Sequence, residues 1–408
     1  MPYYRRNLLI LSTTIFLASA SWNQVCPYLP MFLMQMGLKG APLHTWSGAV
    51  FALPAIAAIL LQPYWMKLGD KYGRKPMVIR AGICLASIYF LMSFSKNPLQ
   101  LAVCRLLNGG LTGFIPGSIA LIATNTPKDE APRSLAVAQS ASAIGQIAGP
   151  SIGLMMVLIA GGYRGSMRVS GAAVAISTLL VYLMVREPNK VVITEQTSML
   201  HDVRTAFRHG LISTLMVPVF MEGAFATAVL SQLALHLPRL VGQAPRWYVG
   251  IIYAGPAMAM AGTVYVWSRV GERIGYTRTL HIGLIGTALA SLSLTFVRSI
   301  WVFLPVYFIA GVFLASIFPS MAALLVTKVE TQFQARAYGV LASMANLGGF
   351  LAPMVAGWLA AVYGTQYVFT FMGALFLSGS FLFPIMLRRA AQLPELETEP
   401  ELVASAVD

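Results

Sequence analysis

Two charged residues lie inside long apolar stretches, and their side chains are the first candidates for chemistry in this sequence. Glu222 interrupts an otherwise uncharged run from Leu211 to Leu237, and Arg105 lies about seven residues into another apolar stretch. A charge at the centre of a bilayer costs at least ~2.5 kcal/mol, so such residues usually face a cavity or a partner and mark transport pathways.

We therefore predict that Glu222 is a site for a proton or a cationic substrate, because a carboxyl group can exchange protons or pair with a cation. The alternative for Glu222 is a structural acid held by hydrogen bonds. For Arg105 the alternative is a side chain that snorkels to the membrane surface. His236 and His281 are weaker candidates, each structural or, for His236, facing water near the end of its span.

The composition is that of a protein that crosses a membrane many times. Of its 408 residues, 57% are hydrophobic and only 10% are charged, whereas soluble domains have about 25% charged residues. This excludes an ordinary soluble enzyme and a disordered chain. The three cysteines all fall inside apolar stretches, which argues against a disulfide scaffold.

The net charge of +14 does not indicate a nucleic-acid partner. Membrane proteins collect Lys and Arg in their cytoplasmic loops, and topology alone accounts for a positive balance. The sequence also has no nucleophile motif, P-loop, metal-ligand cluster or Gly-rich nucleotide fingerprint. We therefore expect no enzymatic activity, no metal and no cofactor.

The apolar stretches predict twelve transmembrane helices and an all-α fold, since each span needs about 20 apolar residues. The last stretch, residues 337–387, is long enough for two helices with a turn near Tyr363 and Gly364. Most Lys and Arg residues fall on one side of the predicted spans, which places both termini in the cytoplasm.

The two halves of the chain repeat one pattern with an offset of about 202 residues. Asp70 and Gly73 recur as Glu272 and Gly275, and Pro150 recurs as Pro353. Six spans return the chain to the same side, so the halves are parallel repeats. We predict a six-helix bundle over 1–186, a cytoplasmic linker with one short helix over 187–210, a second bundle over 211–388, and a disordered acidic tail over 389–408.

The loop after the second span has the sequence Leu-Gly-Asp-Lys-Tyr-Gly-Arg-Lys at residues 68–75. Together with the two parallel six-helix halves, this loop resembles the signature of the major facilitator superfamily, with Met66 where the family usually has Gly. The resemblance implies that this loop latches the outward-facing state through Asp70, Gly73, Arg74 and Lys75.

Two further motifs are similar to those of the family's twelve-helix drug:proton antiporters. Residues 101–110 centre on Arg105, as does the family motif of the fourth helix. The fifth span contains Gly145, Gly149, Pro150 and Gly153, which resemble the antiporter motif G-x-x-x-G-P-x-x-G. Glycines four apart let two helices approach closely, and proline kinks the helix there.

The resemblance implies a monomeric secondary transporter in a bacterial cytoplasmic (inner) membrane that exports small amphipathic compounds in exchange for protons. Glu222 and Arg105 are the implied proton-coupling residues. The alternatives are a dedicated exporter of one metabolite, such as a siderophore, an amino acid or a sugar derivative, and a sensor or scaffold without flux. The implied polar lining of the substrate cavity comprises Asn23, Gln24, Asn108, Thr112, Glu222 and Gln232.

Overall fold

The computed structural model describes residues 2–127, 129–188, 199–242, 245–329 and 331–390. Apart from one isolated bridge between Val241 and Ser299, the regular structure in these ranges is helical. Twelve segments are long and apolar enough to cross a membrane, which confirms the predicted number of spans. The chain is therefore an all-helical, multi-pass membrane protein.

The six spans of the first half are built from eight helices. They are α1 (Tyr3–Val25), α2 (Leu29–Gln35), α3 (Gly40–Tyr72), α4 (Arg74–Phe94), α5 (Pro98–Leu111), α6 (Phe114–Asn125), α7 (Ala131–Ile159) and α8 (Gly162–Met184). A short helix, α9 (Met199–Arg208), precedes the second half, in agreement with the predicted linker helix. Residues 189–198 of the predicted linker lie outside the described ranges.

The second half repeats the same arrangement. Its six spans are built from seven helices, which are α10 (Gly210–His236), α11 (Arg246–Ile274), α12 (Tyr276–Phe296), α13 (Ile300–Leu314), α14 (Ile317–Lys328), α15 (Thr331–Val362) and α16 (Gln366–Ala390). The predicted turn that divides the last apolar stretch lies between α15 and α16. The predicted acidic tail, apart from residues 389 and 390, lies outside the described ranges.

The turn after the second span of each half depends on a glycine. Gly73 ends α3 with φ = +100°, and Gly275 ends α11 with φ = +91°. Other residues rarely adopt such angles, because a Cβ atom would clash with the backbone. The repeat continues in the side chains. Trp65 Nε1 donates to the Gly110 carbonyl at 2.7 Å, and Trp267 Nε1 donates to the Val312 carbonyl at 2.6 Å.

The fourth span of each half is broken into two helices at equivalent positions. The first break falls at Thr112 and Gly113, where Gly113 has φ = +125°. The second falls at Ala315 and Ser316, between α13 and α14. Pro116 follows the first break and Pro319 follows the second, each within the first turn of the next helix. Proline costs no hydrogen bond there, because the backbone N–H groups of a first turn have no partner within the helix. Sequence spacing alone had predicted continuous helices here.

Each half contains its own hydrophobic core. The halves meet where α3 packs on α15 and where α7 packs on α11. The spans have two ends, which we name by the chain. The proximal end holds the start of α1 and the end of α16, and the distal end holds residues 36–39, 237–242 and 363–365.

Candidate functional site

Glu222 lies near the middle of α10 and is half-buried. The other acidic residue inside a span, Glu272, is exposed and lies two residues from the end of α11. Glu222 forms no hydrogen bond or ion pair with the part of the chain that the structure describes. A carboxyl group at this depth without a protein donor can bind a proton or a cation, which is what the sequence predicted for it.

The backbone around Glu222 is held by close packing. A methyl group at Gly223 would collide with the Ala345 carbonyl of α15, and one at Gly379 of α16 would collide with Met221. Further along α10, the aromatic ring of Phe225 lies 6.0 Å from that of Phe376. Helix α10 is thus fixed between α15 and α16, and Glu222 occupies a defined depth in the second half.

Arg105 is enclosed within the first half, with 1% of its surface exposed. Its Nε donates to the Val50 carbonyl at 3.0 Å, and its guanidinium carbon lies 4.6 Å from the centre of the Trp22 indole ring. Its Nη1 atom is buried without a hydrogen-bond partner. This burial is incompatible with the alternative that Arg105 snorkels to the surface. No hydrogen bond or ion pair among the described residues joins it to Glu222.

Of the other polar residues predicted to line a cavity, Gln24 bonds a neighbouring helix and Asn23 bonds its own helix. Gln24 Nε2 donates to the Ser166 carbonyl and hydroxyl of α8, both at 3.1 Å. Asn23 donates to the Ser19 carbonyl one turn earlier at 2.9 Å. These bonds direct Gln24 away from the second half of the chain.

Asn108 and Thr112, both predicted to line the cavity, do not lie on one continuous helix. Asn108 is buried in α5, and its Nδ2 has no partner among the described residues. Thr112 follows the last residue of α5 and has an extended backbone, with its hydroxyl donating to the Asn108 carbonyl. The buried amide of Asn108 and the break at Thr112 lie in the same fourth span. Discontinuous helices commonly form the substrate sites of transporters.

The glycines of the predicted antiporter motif form the contact between α7 and α1. A methyl group at Gly145 would lie 2.7 Å from the Phe16 carbonyl, and one at Gly149 would lie 2.9 Å from the Ala20 carbonyl. Gly153 faces Gln24 and Tyr28. The Tyr28 hydroxyl donates to the carbonyl of Pro150 at 2.8 Å. The close approach that the glycine spacing predicts is therefore present.

The predicted latch loop binds its own half of the protein. Arg74 Nη1 donates to the Ala120 carbonyl of α6 at 2.9 Å. The backbone amides of Arg74 and Lys75 donate to the two carboxylate oxygens of Glu187, at 2.8 and 2.9 Å. Glu187 thus stabilises the N-terminus of α4, a role that only the fold reveals. The side chain of Asp70 lies outside the described residues.

A polar cluster joins the halves at the distal end and includes two of the candidates from the sequence, Gln232 and His236. Gln232 of α10 bonds His44 of α3, and Arg239 Nη2 approaches His44 Nε2 at 3.4 Å. On the other side, Arg239 Nη1 and His236 Nδ1 lie 3.5 and 2.9 Å from the Thr365 hydroxyl. We call these five residues the distal clamp. His236 is buried, which rules out the alternative that it faces water.

Packing closes the distal end around the clamp. A methyl group at Gly357 of α15 would lie 2.7 Å from the His44 carbonyl, and one at Gly250 of α11 would lie 3.2 Å from the Ser151 hydroxyl of α7. The rings of Tyr28 and Tyr253, one from each half, lie 5.9 Å apart. The α3–α15 contact and the α7–α11 contact between the halves are therefore both closed at the distal end.

Comparison with known proteins finds relatives that match this chain over most of its length. The chain is 27% identical over 372 residues to the multidrug resistance protein MdtG of Salmonella paratyphi C (strain RKS4594), covering 90% of this chain and 91% of the relative. It is 27% identical over 412 residues to MdtG of Enterobacter lignolyticus (strain SCF1), covering 98% and 96%.

Solved structures share the fold at lower identity. A bacterial homologue of the human lysosomal transporter Spinster, in an inward-facing and occupied conformation, has a TM-score of 0.81 at 13% identity, with 95% of this chain and 97% of that chain covered. The nucleoside transporter NupG has a TM-score of 0.77 at 16% identity, with 93% and 98% covered.

The family model described as Major Facilitator Superfamily matches residues 11–248 and 243–406, which together cover all or most of every span of both halves. The resemblance predicted from the latch loop, the Arg105 motif and the glycines of α7 is confirmed. The chain belongs to the major facilitator superfamily of transporters.

Proposed function

We propose that this protein exports small amphipathic compounds across a bacterial cytoplasmic membrane in exchange for protons. The observation on which the proposal rests is Glu222, a carboxyl group at mid-membrane depth without a hydrogen-bond or ion-pair partner among the described residues. Such a group can be protonated from one side of the membrane and release its proton, or bind a cationic substrate, on the other. The MdtG relatives, which match the chain over most of its length, support drug-like cargo.

In this proposal the two halves alternate access to a site between them. The equivalent breaks in the fourth spans support that arrangement, because interrupted helices in corresponding positions of two repeats commonly mark the binding region. The distal clamp then holds one entrance shut and must separate for that side to open. We place both termini in the cytoplasm from the distribution of Lys and Arg, and we propose that one chain suffices for transport.

The test is transport of a cationic amphipathic dye in inside-out membrane vesicles that contain the protein. We expect dye uptake driven by a proton gradient and abolished by an uncoupler. Glu222→Gln removes the ionisable group with little change in size and should lower this uptake at least tenfold. The matched control is Asp129→Asn, which changes an exposed carboxyl in the turn before α7 and should transport like the wild type.

Equal proton-driven uptake by the Glu222→Gln variant would overturn the role of this residue, provided that both variants insert in equal amounts. If the uncoupler does not reduce dye uptake by the wild type, the proposed proton coupling is overturned. A panel of unrelated amphipathic compounds then separates broad export from export of one metabolite. A dedicated exporter would transport one metabolite and none of the compounds in the panel.

A further inference from the structure

A groove of about 570 Å³ lies on the outer face of α4, near the proximal end, away from the proposed transport site. Its wall combines Lys75 and Arg80 with the apolar side chains of Ile79, Ile83 and Cys84, and Tyr182 of α8 closes one side. Ile83 and Tyr182 are 56% and 60% exposed, so no described part of the chain covers the groove. In a membrane, lipid is the medium that this face of α4 meets.

The two cations of the groove have no acidic partner in the described ranges. Lys75 Nζ donates to the Tyr182 carbonyl at 2.9 Å, which leaves its charge uncompensated. The nearby carboxylate of Glu187 is occupied by the backbone amides at the start of α4. A positive charge in a membrane protein that lacks a protein counter-charge is a candidate partner for an anion from lipid or solvent.

Arg80 also lacks a partner for its charge among the described residues. Its guanidinium carbon lies 3.6 Å from the centre of the Trp65 ring, which fixes the plane of the group. Its Nε and Nη1 atoms are buried, yet no acceptor in the structure bonds either one. Buried donors of this kind are nearly always satisfied in proteins, so these two leave the guanidinium charge uncompensated within the described chain.

The second half of the chain provides an internal comparison. Trp267 repeats Trp65 with the same hydrogen bond, but the positions equivalent to Lys75 and Arg80 hold Thr277 and Ile282. The repeat therefore folds without either cation. The two cations of the groove are therefore specific to the first half of the repeat.

The arrangement of the groove separates charge from apolar surface along the membrane normal. Lys75 is the second residue of α4, and Cys84 lies about 13 Å further along the helix axis. Helical side chains lean toward the N-terminus of their helix, so the Arg80 side chain extends toward the same end as Lys75. A phosphate at the start of α4 would thus continue into a hydrocarbon chain over Ile79, Ile83 and Cys84.

We propose that this groove binds an anionic phospholipid, with its phosphate held by Lys75 and Arg80 and an acyl chain along the apolar face of α4. Basic pockets between transmembrane helices at the membrane surface commonly bind such head groups. Inorganic phosphate satisfies the two cations but not the apolar wall. A zwitterionic lipid carries a compensating positive charge that the groove repels.

Native mass spectrometry of the full-length protein in detergent tests the proposal, with phosphatidylglycerol, phosphatidylcholine of the same acyl chains and glycerol phosphate as separate probes. We expect one phosphatidylglycerol to bind most tightly, with weaker binding of phosphatidylcholine and of the acyl-free phosphate. The variant Lys75→Thr/Arg80→Ile copies the second half of the repeat and should weaken phosphatidylglycerol binding about thirtyfold. Its matched control, Arg388→Gln/Arg389→Gln, removes two exposed charges at the same end and should bind like the wild type.

Equal affinity of the wild type and the double variant would overturn the site, as would equal affinity for phosphatidylglycerol and phosphatidylcholine. Tight binding of glycerol phosphate alone would instead make it an anion site without a lipid. If the double variant does not fold, cross-linking the wild type with photoreactive phosphatidylglycerol decides the matter. We expect labels on residues 75–84 and near Tyr182, and labels confined to other helices would overturn the proposal. None of these measurements depends on transport.

Discussion

His44 of α3 and Gln232 of α10 exchange two hydrogen bonds across the boundary between the halves. His44 Nδ1 lies 2.9 Å from Gln232 Oε1, and Gln232 Nε2 donates to the His44 carbonyl at 3.1 Å. Because Arg239 can only donate to Nε2, the proton of the neutral imidazole lies on Nδ1 and is donated to Gln232. This pair therefore joins the helices whose separation would open the distal end.

Gln232→Leu should favour the open distal end. The substitution removes both bonds and leaves the buried His44 Nδ1 unpaired, at a cost of about 1–3 kcal/mol to the closed state. We expect the open population to rise about tenfold or more. Spin labels at the exposed distal residues Leu99 and Val241, one in each half, would report it as a shift to longer distances.

The matched control for this experiment is Gln100→Leu. Gln100 is an exposed distal residue whose side chain accepts only from Lys96 within the first half. It should leave the distance distribution unchanged. An unchanged distribution in Gln232→Leu as well would show that the His44–Gln232 pair does not hold the end closed.

Arg105→Lys should destabilise the protein although the charge is kept. Lysine lacks the planar group that stacks on Trp22 and the Nε–H that bonds the Val50 carbonyl. Cation–π contacts and hydrogen bonds from charged groups contribute about 0.5–3 kcal/mol each. We expect a lower unfolding temperature in detergent and slower dye transport. Arg298→Lys, at an exposed arginine, is the control, and equal stability of the two variants would contradict a packing role for Arg105.

Gly149→Ala should be more destabilising than the same change at Gly339. The new methyl group would lie 2.5 Å from Asn23 Cβ and 2.9 Å from the Ala20 carbonyl, so α1 and α7 must move apart. Overpacking of this kind costs about 1–3 kcal/mol. Gly339 is also helical but has open space around it, and alanine there should be neutral or slightly stabilising. Thermal unfolding of both variants measures the difference, and similar midpoints would contradict the close contact.

The start of α1 should loosen in acid. The Tyr4 hydroxyl and Arg5 donate to Glu130 at 2.8 and 3.2 Å, and these bonds lower the pKa of Glu130 from its ordinary value of 4.5. The contact is therefore fully formed above pH 4.5 and is lost as the pH falls through the lowered pKa.

Hydrogen exchange of the first turn of α1, corrected for the intrinsic effect of pH, measures this change. At pH 7 the turn should exchange faster in Glu130→Gln than in the wild type, and the difference should vanish once Glu130 is protonated. A difference that persists at the lowest pH would show that the carboxylate is not the cause.

Much of the fold could be predicted because its signals are local. A run of about 20 apolar residues must become a helix in lipid, where every backbone group needs an internal partner. The turn glycine Gly73 and the glycines of α7 were likewise predictable, since their conformations and close contacts depend on the absence of a side chain. Glu222, the acid near the middle of a span, was found by locating the charged residues along the sequence.

Pairings between distant segments could not be predicted in this way. His44 and Gln232 are 188 residues apart, and nothing in either neighbourhood indicates the other. Glu187 was assigned to a linker, although it binds the start of α4. The break at Thr112 and Gly113 was missed because the surrounding hydropathy is continuous.

The sequence by itself thus determined the membrane spans, the repeat and the depth of Glu222 and Arg105, because each follows from the free energy of placing one segment in lipid. Only the tertiary structure decided which polar groups have partners. In the folded protein Arg105 is buried against Trp22, and Gln24 bonds Ser166 of α8. Two donor atoms of Arg80 have no acceptor among the described residues. Such pairings depend on how helices approach one another, which no single segment encodes.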